Sequence, residues 1–222
     1  MEIMEDTIAA IATAVSEAGI SIVRISGKQA IETAARIFRS GKKDFVLEEQ
    51  PSHTIHYGFI YDGEERVDEV LLLLMKGPHS YTGEDTVEID CHGGVYVTRQ
   101  ILETVIRHGA RLVEPGEFTK RAFLNGKMDL TQAEAVGEII SSRNAYALHT
   151  SVERLKGSVK EAIGNFRKEI LYHLAFIESA LDDPEHISLD GYAETLGGVV
   201  NKLRGQMQRL IATFDNGRMC RE

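Results

Sequence analysis

The sequence predicts an α+β fold in two parts: a mixed sheet with helices, then an all-α hairpin of long helices. Three observations carry this. Runs rich in β-branched residues alternate with helically spaced apolar positions as far as Glu117 and cease after it. Two apolar stripes at helical spacing dominate the rest of the chain. Pro115-Gly116 marks the change, so the domain boundary is expected at residues 118/119, giving a domain over 1–118 and a helical region over 119–222.

In the first part, Gly19 to Ser26 is β-branched and reads as a strand, with Arg24 interrupting its apolar residues. Gln29 to Phe38 has helical spacing, and His53 to Ile60 alternates as a strand does. Asp68 to Met75 is a continuous apolar run, the pattern of a central strand buried on both faces. Thr86 to Cys91 is a further strand, broken by Gly93-Gly94; Val95 to His108 is an amphipathic helix ending before Gly109, and Arg111 to Val113 a short strand.

In the second part, Glu117 to Leu124 reads as a short helix. Asp129 is an N-cap with Gln132 three residues on, a capping box that opens a helix to about Ser142. One long helix is expected from Ala145 to Leu181, its stripe formed by Leu155, Val159, Ile163, Phe166, Ile170, Leu174, Ile177 and Leu181. Asp182-Asp183-Pro184 stops it. Leu196, Val199, Leu203, Met207, Leu210 and Phe214 form the second stripe, which Asn216-Gly217 should end. The short link makes the two helices antiparallel neighbours. They either pack on the first domain, dimerise, or form half of an incomplete helical bundle.

Composition narrows the class. The 222 residues are 43% hydrophobic and 27% charged, the profile of a soluble globular protein. The longest apolar run, Val70 to Met75, is too short to cross a bilayer, and the N-terminus lacks the basic-then-apolar pattern of a signal peptide. Two cysteines, Cys91 and Cys220, make no disulfide framework, so a reduced cytoplasmic setting is expected. Residues 1–118 carry 11 Lys and Arg against 20 Asp and Glu, which disfavours non-specific attraction to nucleic-acid phosphates. The sequence contains no G-x-x-x-x-G-K-[ST], G-x-G-x-x-G or G-x-S-x-G, and Cys91-His92 and Cys220 lack zinc spacing.

Several blocks carry a resemblance. They are Asp6-Thr7-Ile8-Ala9; Ile22-Val23-Arg24-Ile25-Ser26-Gly27; Ser80-Tyr81-Thr82-Gly83-Glu84-Asp85-Thr86-Val87-Glu88 on to Cys91-His92-Gly93-Gly94; and Pro115-Gly116-Glu117-Phe118-Thr119 on to Asn125-Gly126-Lys127-Met128-Asp129-Leu130 and Gln132-Ala133-Glu134-Ala135. In order and spacing, and over the whole chain, the sequence resembles the MnmE (TrmE) family of tRNA modification GTPases. The resemblance implies a tetrahydrofolate-binding, homodimerising N-terminal domain and the first part of a helical domain into which a GTPase domain is inserted near Asn216-Gly217-Arg218. This stretch lacks that GTPase domain, so it is not expected to hydrolyse GTP, and potassium, magnesium and GTP would enter only through the missing domain. The family's Cys-x-Gly-Lys motif is also missing, and Cys220 does not inherit its role. The first loop, Ala14 to Gly19, departs from the family's Pro- and Gly-rich turn.

The resemblance further implies 5-formyltetrahydrofolate, or a related tetrahydrofolate, as cofactor, bound by Arg24, Glu88 and Lys127. No catalytic or metal-binding residue is expected. Glu88, between apolar Val87 and Ile89, suits the nitrogen-rich pterin edge, and a cation suits the glutamate tail. Arg121 pairs either with a ligand carboxylate or with Glu117 one turn back. His92 either caps the following helix or lines the site, and Tyr81 either stacks on a ring or anchors its loop; Cys91 is expected to be buried. The implied partners are the flavin-dependent protein MnmG (GidA) and, as substrate of the complex, tRNA modified at C5 of the wobble uridine with a carboxymethylaminomethyl-type group. A stand-alone folate-dependent aminomethyl transferase is the alternative.

Overall fold

A computed structural model describes residues 6–219; Cys220 lies outside the described residues. The chain forms two compact units, the first ending at Met128. The elements of the first are β1 (Ile8–Ile11), β2 (Ile20–Ser26), α1 (Ala30–Ile37), β3 (Phe38–Ser40), β4 (Thr54–Asp62), β5 (Glu65–Met75), β6 (Thr86–His92), α2 (Val95–Arg107), β7 (Arg111–Leu112) and α3 (Glu117–Leu124). The second contains α4 (Leu130–Ser141), α5 (Ala145–Leu155), α6 (Ser158–Asp182) and α7 (Tyr192–Met219). The α+β class holds, with a mixed sheet followed by helices alone. The first unit runs past the 118/119 boundary expected from sequence, because α3 is tied into it: buried Arg121 bonds to Asp6 and Glu84, and Asn125 Nδ2 donates to Thr82 O at 2.8 Å.

The sheet has seven strands in the order β3-β4-β5-β6-β2-β1-β7. All neighbours are antiparallel except β7, which runs parallel to β1 with Ile8 opposite Arg111. Helices α1 and α2 both touch the sheet. The core consists of the alternate residues Val23, Ile25, Val70, Leu72, Leu74, Val87 and Ile89 with Ala30, Ala34, Ile37, Ile101 and Val105 of the two helices. This corrects the reading of Asp68 to Met75. The strand is central, between β4 and β6, but buried on one face only: Leu71 is 44% exposed and Leu73 and Met75 are half-buried. Antiparallel strands joined by hairpins need no helix on each face, so a run of leucines can leave every second side chain towards solvent.

Two strands, β1 and β3, were not expected. The structure also splits the expected helix from Ala145 to Leu181. Gly157, at φ +85°, takes the left-handed conformation that costs glycine least, and α5 ends before it while α6 begins after it. Nor does Asn216-Gly217 end the last helix, which runs on to Met219. The capping box is present: Gln132 N–H donates to Asp129 Oδ1 at 2.9 Å and Asp129 N–H to Gln132 Oε1 at 2.9 Å, a cap worth about 1 kcal/mol.

Within the second unit α4 and α5 are clipped together by Glu138, which accepts from Ser151 and Arg154. Helices α6 and α7 run antiparallel, as the short link implied. His173 and Phe176, late in α6, meet Tyr192 at the start of α7, while Ala162 and Phe166 share a cleft with Gln206 and Leu210. The stripe read from α6 only partly coincides with the face that meets α7: Phe166 lies in that cleft. Ile163, Ile170, Leu174 and Leu181 are exposed, whereas His173 and Ala180 are buried.

Candidate functional site

The uncovered sheet face carries two of the three candidate residues, Arg24 and Glu88, in ordered rows. Antiparallel register places Arg24 opposite Glu88, and Glu88 opposite Leu73. The next row holds Ile22, Asp90 and Leu71, and the row on the other side Ser26, Thr86 and Met75. Loop 77–85 covers the last of these: Ser26 Oγ lies 2.7 Å from Thr82 Oγ1, and both residues are buried. Arg24 and Glu88 therefore stand where the covered part of the face gives way to the open part. Their neighbours Val23, Ile25, Val87 and Ile89 point into the core, which is why β2 and β6 present these two polar side chains together.

The pair is close. Arg24 Nε and Nη2 each lie 2.6 Å from Glu88 Oε1, and the side chains are 24% and 15% exposed. Among the described residues no hydrogen bond reaches Glu88 Oε2. The guanidinium carbon of Arg24 lies 5.3 Å from the Tyr81 ring centroid and 5.5 Å from that of Phe118. The Tyr81 hydroxyl is 2.9 Å from Thr119 Oγ1, so this tyrosine both anchors its loop and packs a ring against the pair.

Lys127 belongs to the same neighbourhood by way of the loop. Its ammonium donates to Pro78 O at 3.1 Å, and its side chain is exposed. It has no carboxylate partner among the described residues. Loop 77–85 is thus touched by Arg24 through Tyr81 and by Lys127 through Pro78. Arg24 and Glu88 are in direct contact; among the described residues no hydrogen bond or ion pair joins Lys127 to either.

At α3 lies a charge network with a buried centre, Arg121 and Glu117, and an exposed rim, Asp6 and Arg111, that sequence reading only glimpsed. Arg121, 1% exposed, pairs with Glu117 Oε1 at 3.0 Å, Asp6 Oδ1 at 2.7 Å and Glu84 Oε2 at 3.4 Å. Arg111 also reaches Glu117 Oε1 and Asp6 Oδ2, each at 2.7 Å. Arg121 therefore takes Glu117 as partner, together with carboxylates from two other segments. Burial alone would raise the Glu117 carboxyl. Hydrogen bonds from Arg111, from the Glu114 backbone and from Arg121 outweigh it and bring the pKa down to about 2. The folded state then binds fewer protons than the unfolded one between roughly pH 5 and pH 2. Stability is full above the ordinary glutamate range and is lost as pH falls through that window. Acid titration followed by circular dichroism should show the first unit losing up to about 3 kcal/mol on this account. Glu117→Gln should flatten the dependence.

Three further residues of β6 have defined surroundings. Cys91 is buried, and burial pushes its thiol up to about 11, which makes it inert. The His92 side chain makes no hydrogen bond to α2 among the described residues; its Nδ1 lies 2.7 Å from Asp68 Oδ1, which raises its pKa and clips β6 to β5. Asp90 escaped the sequence reading. Its Oδ1 is buried without a hydrogen bond, and its carboxyl sits above the usual range, first through burial and then through the nearby charge of Glu88. It lines a cleft of about 260 Å³ with Ile20, Tyr57, Glu69, Leu71 and His92. No group of three or more His, Cys, Asp or Glu among the described residues is arranged to hold a metal. No helix among them is long and apolar enough to cross a membrane.

Comparison with known proteins gives these features a family. Residues 7–127 match the family model for the GTP-binding protein TrmE N-terminus, and residues 130–222 that for the MnmE helical domain. Their junction falls beside the end of the first compact unit at Met128. The chain is 53% identical over 218 residues to a tRNA modification GTPase MnmE of Lachnoclostridium phytofermentans, covering 98% of this chain and 47% of that protein. Proteins of the same name from Enterococcus faecalis and Symbiobacterium thermophilum are each 46% identical, with 98% of this chain covered and 47% and 48% of theirs. The chain thus spans about half the length of the curated relatives it matches. With residues 7–127 and 130–222 matched in turn, the chain belongs to the MnmE (TrmE) family, of which it carries the N-terminal and helical domain regions.

Proposed function

We propose that the first unit binds a tetrahydrofolate of the 5-formyl type through Arg24, Glu88 and Lys127 and dimerises, as part of a tRNA modification GTPase. The observation that carries the reading is Glu88, a carboxylate held on one oxygen by Arg24 with its other oxygen free of hydrogen bonds among the described residues. A pterin edge offers an amino group and a ring N–H side by side. A carboxylate has about four lone-pair sites, and Arg24 uses about two of them, which leaves capacity for that edge. Lys127 keeps two of its three ammonium donors after bonding Pro78 O, and suits the glutamate carboxylates of a folate tail. These donor and acceptor types fit the two ends of a folate. When bound, the cofactor would supply the one-carbon unit, while the residues here bind and orient it.

Dimerisation is supported by the apolar side chains on the open face. Ile20, Ile55, Tyr57 and Leu71 are each more than 40% exposed beside the Arg24–Glu88 pair, and a second copy covering them would remove that surface from water. The relatives' shared name, tRNA modification GTPase MnmE, supports a part in tRNA modification. The wobble-uridine C5 target, the flavoprotein MnmG as partner and the cytoplasmic setting extend that reading through the sequence resemblance. GTP, potassium and magnesium belong to the whole-protein activity, and no phosphate-cradling G-x-x-x-x-G-K-[ST] occurs in these 222 residues.

Calorimetric titration of 5-formyltetrahydrofolate tests the reading. The chain should bind it saturably, and Glu88→Ala should weaken binding at least about 30-fold through the loss of charge-assisted hydrogen bonds. Equal affinity in the two proteins would remove Glu88 from the site.

A further inference from the structure

We infer that Tyr81 and Phe118 are positioning residues for this site: their two rings hold the Arg24 guanidinium, and through it the Glu88 carboxylate, in the orientation that leaves Glu88 Oε2 open. The inference rests on the folate reading above and extends it to two residues that do not themselves bond to Glu88.

The geometry is that of a cation between two aromatic side chains. Arg24 Cζ is 5.3 Å from one ring centroid and 5.5 Å from the other, both within the range at which a ring quadrupole attracts a guanidinium. Each ring is itself fixed. The Tyr81 hydroxyl meets Thr119 Oγ1 at 2.9 Å, and its loop is pinned by Ser80 Oγ, which donates to Glu84 O at 2.5 Å and accepts from Gly83 N–H at 3.0 Å. Phe118 follows the buried Glu117 in the first turn of α3. Three elements far apart in sequence therefore converge on one side chain.

The consequence lies in how Arg24 bonds. Arg24 directs Nε and Nη2 to a single oxygen of Glu88, leaving the second oxygen without a donor. A free arginine would readily exchange this for the two-oxygen fork that guanidinium and carboxylate prefer, closing Oε2 to a ligand. Rings on the guanidinium restrict that rotation. The buried core lies on the opposite face of the sheet, in Val23, Ile25, Val87 and Ile89, so a positioning role separates from a packing role.

The test uses the 222-residue chain and two readouts. The first is the NMR signal of the Arg24 Nε–H without ligand, expected to be ring-shifted and slow to exchange, and to lose both properties in Tyr81→Leu and Phe118→Leu. The second is calorimetric affinity for 5-formyltetrahydrofolate. Each substitution should weaken binding about fivefold to thirtyfold. Phe118→Tyr should restore affinity to within about twofold, since the ring remains. In an Arg24→Ala background neither leucine variant should weaken binding further. An unchanged Nε–H signal, or losses that add to that of Arg24→Ala, would overturn the inference. Binding lost in Glu88→Ala but untouched in both leucine variants would overturn it alone. Binding untouched by Glu88→Ala would overturn the folate reading and this inference with it.

Discussion

Arg121→Met is expected to destabilise the first unit by about 3–5 kcal/mol, lowering its thermal midpoint by about 10–20 °C. Methionine replaces the aliphatic stem well enough. It leaves Glu117, 2% exposed, with Asp6 and Glu84 around a space that has lost its cation, and Arg111 alone cannot serve all three. Removing one partner from a buried ion cluster costs more than the cluster contributes, because uncompensated charge stays in a poorly solvated place. Arg121→Lys should fall between: it restores the charge but not the fork that reaches Asp6 O and Asp6 Oδ1 at once. Urea unfolding of the three proteins measures the series. A loss below about 1 kcal/mol in the methionine variant would mean that the cluster contributes little.

The second large effect concerns Gly93. A Cβ there would fall on the backbone carbonyl of Ala18, whose own N–H donates to Gly93 O at 3.0 Å. Backbone cannot rotate aside as a side chain does, so the loop before β2 must lift from the end of β6. Gly93→Ala should cost about 2–4 kcal/mol. Gly94→Ala is the internal control. Its Cβ would meet only Val97 Cγ1 at 3.3 Å, and the position is exposed, so its cost should stay near 1 kcal/mol or below. Similar losses in both variants would show that the α2 start, and not the approach of Ala18, sets the requirement.

Legibility in the sequence differs from element to element. Strands β2, β4 and β6 and helices α1, α2, α3 and α4 announce themselves through periodicity and caps. Strand β1 does not: Ile8-Ala9-Ala10-Ile11 has weak β-propensity and is a strand because β2 and β7 flank it. Strand β3 follows α1 with no turn residue between Ile37 and Phe38, so nothing local marks the change. In α6 the large apolar residues alone give only part of the face towards α7. The face towards α7 uses Ala162 and His173 as well, and the bulky stripe lies partly to one side of it.

For the site, the motif blocks supplied Arg24, Glu88 and Lys127 as expectations. The Arg24–Glu88 contact follows from register, which no single strand encodes. The rings around Arg24 come from a loop and from α3, and the burial of Asp90 Oδ1 without a hydrogen bond comes from packing across strands. Such features depend on long-range assembly, and spacing along the chain carries no trace of them.

The pairing of β1 with β7 bears on how the chain emerges during synthesis. Ile8 finds Arg111, and Asp6 finds Arg121, across more than a hundred intervening residues. At about 5–20 residues per second a ribosome needs several seconds to deliver the second partner after the first. Through that interval the leading segment has no parallel neighbour and Asp6 awaits its two arginines. Closure of the sheet at β7 is therefore a late event on the nascent chain, since it joins the two ends of the first unit.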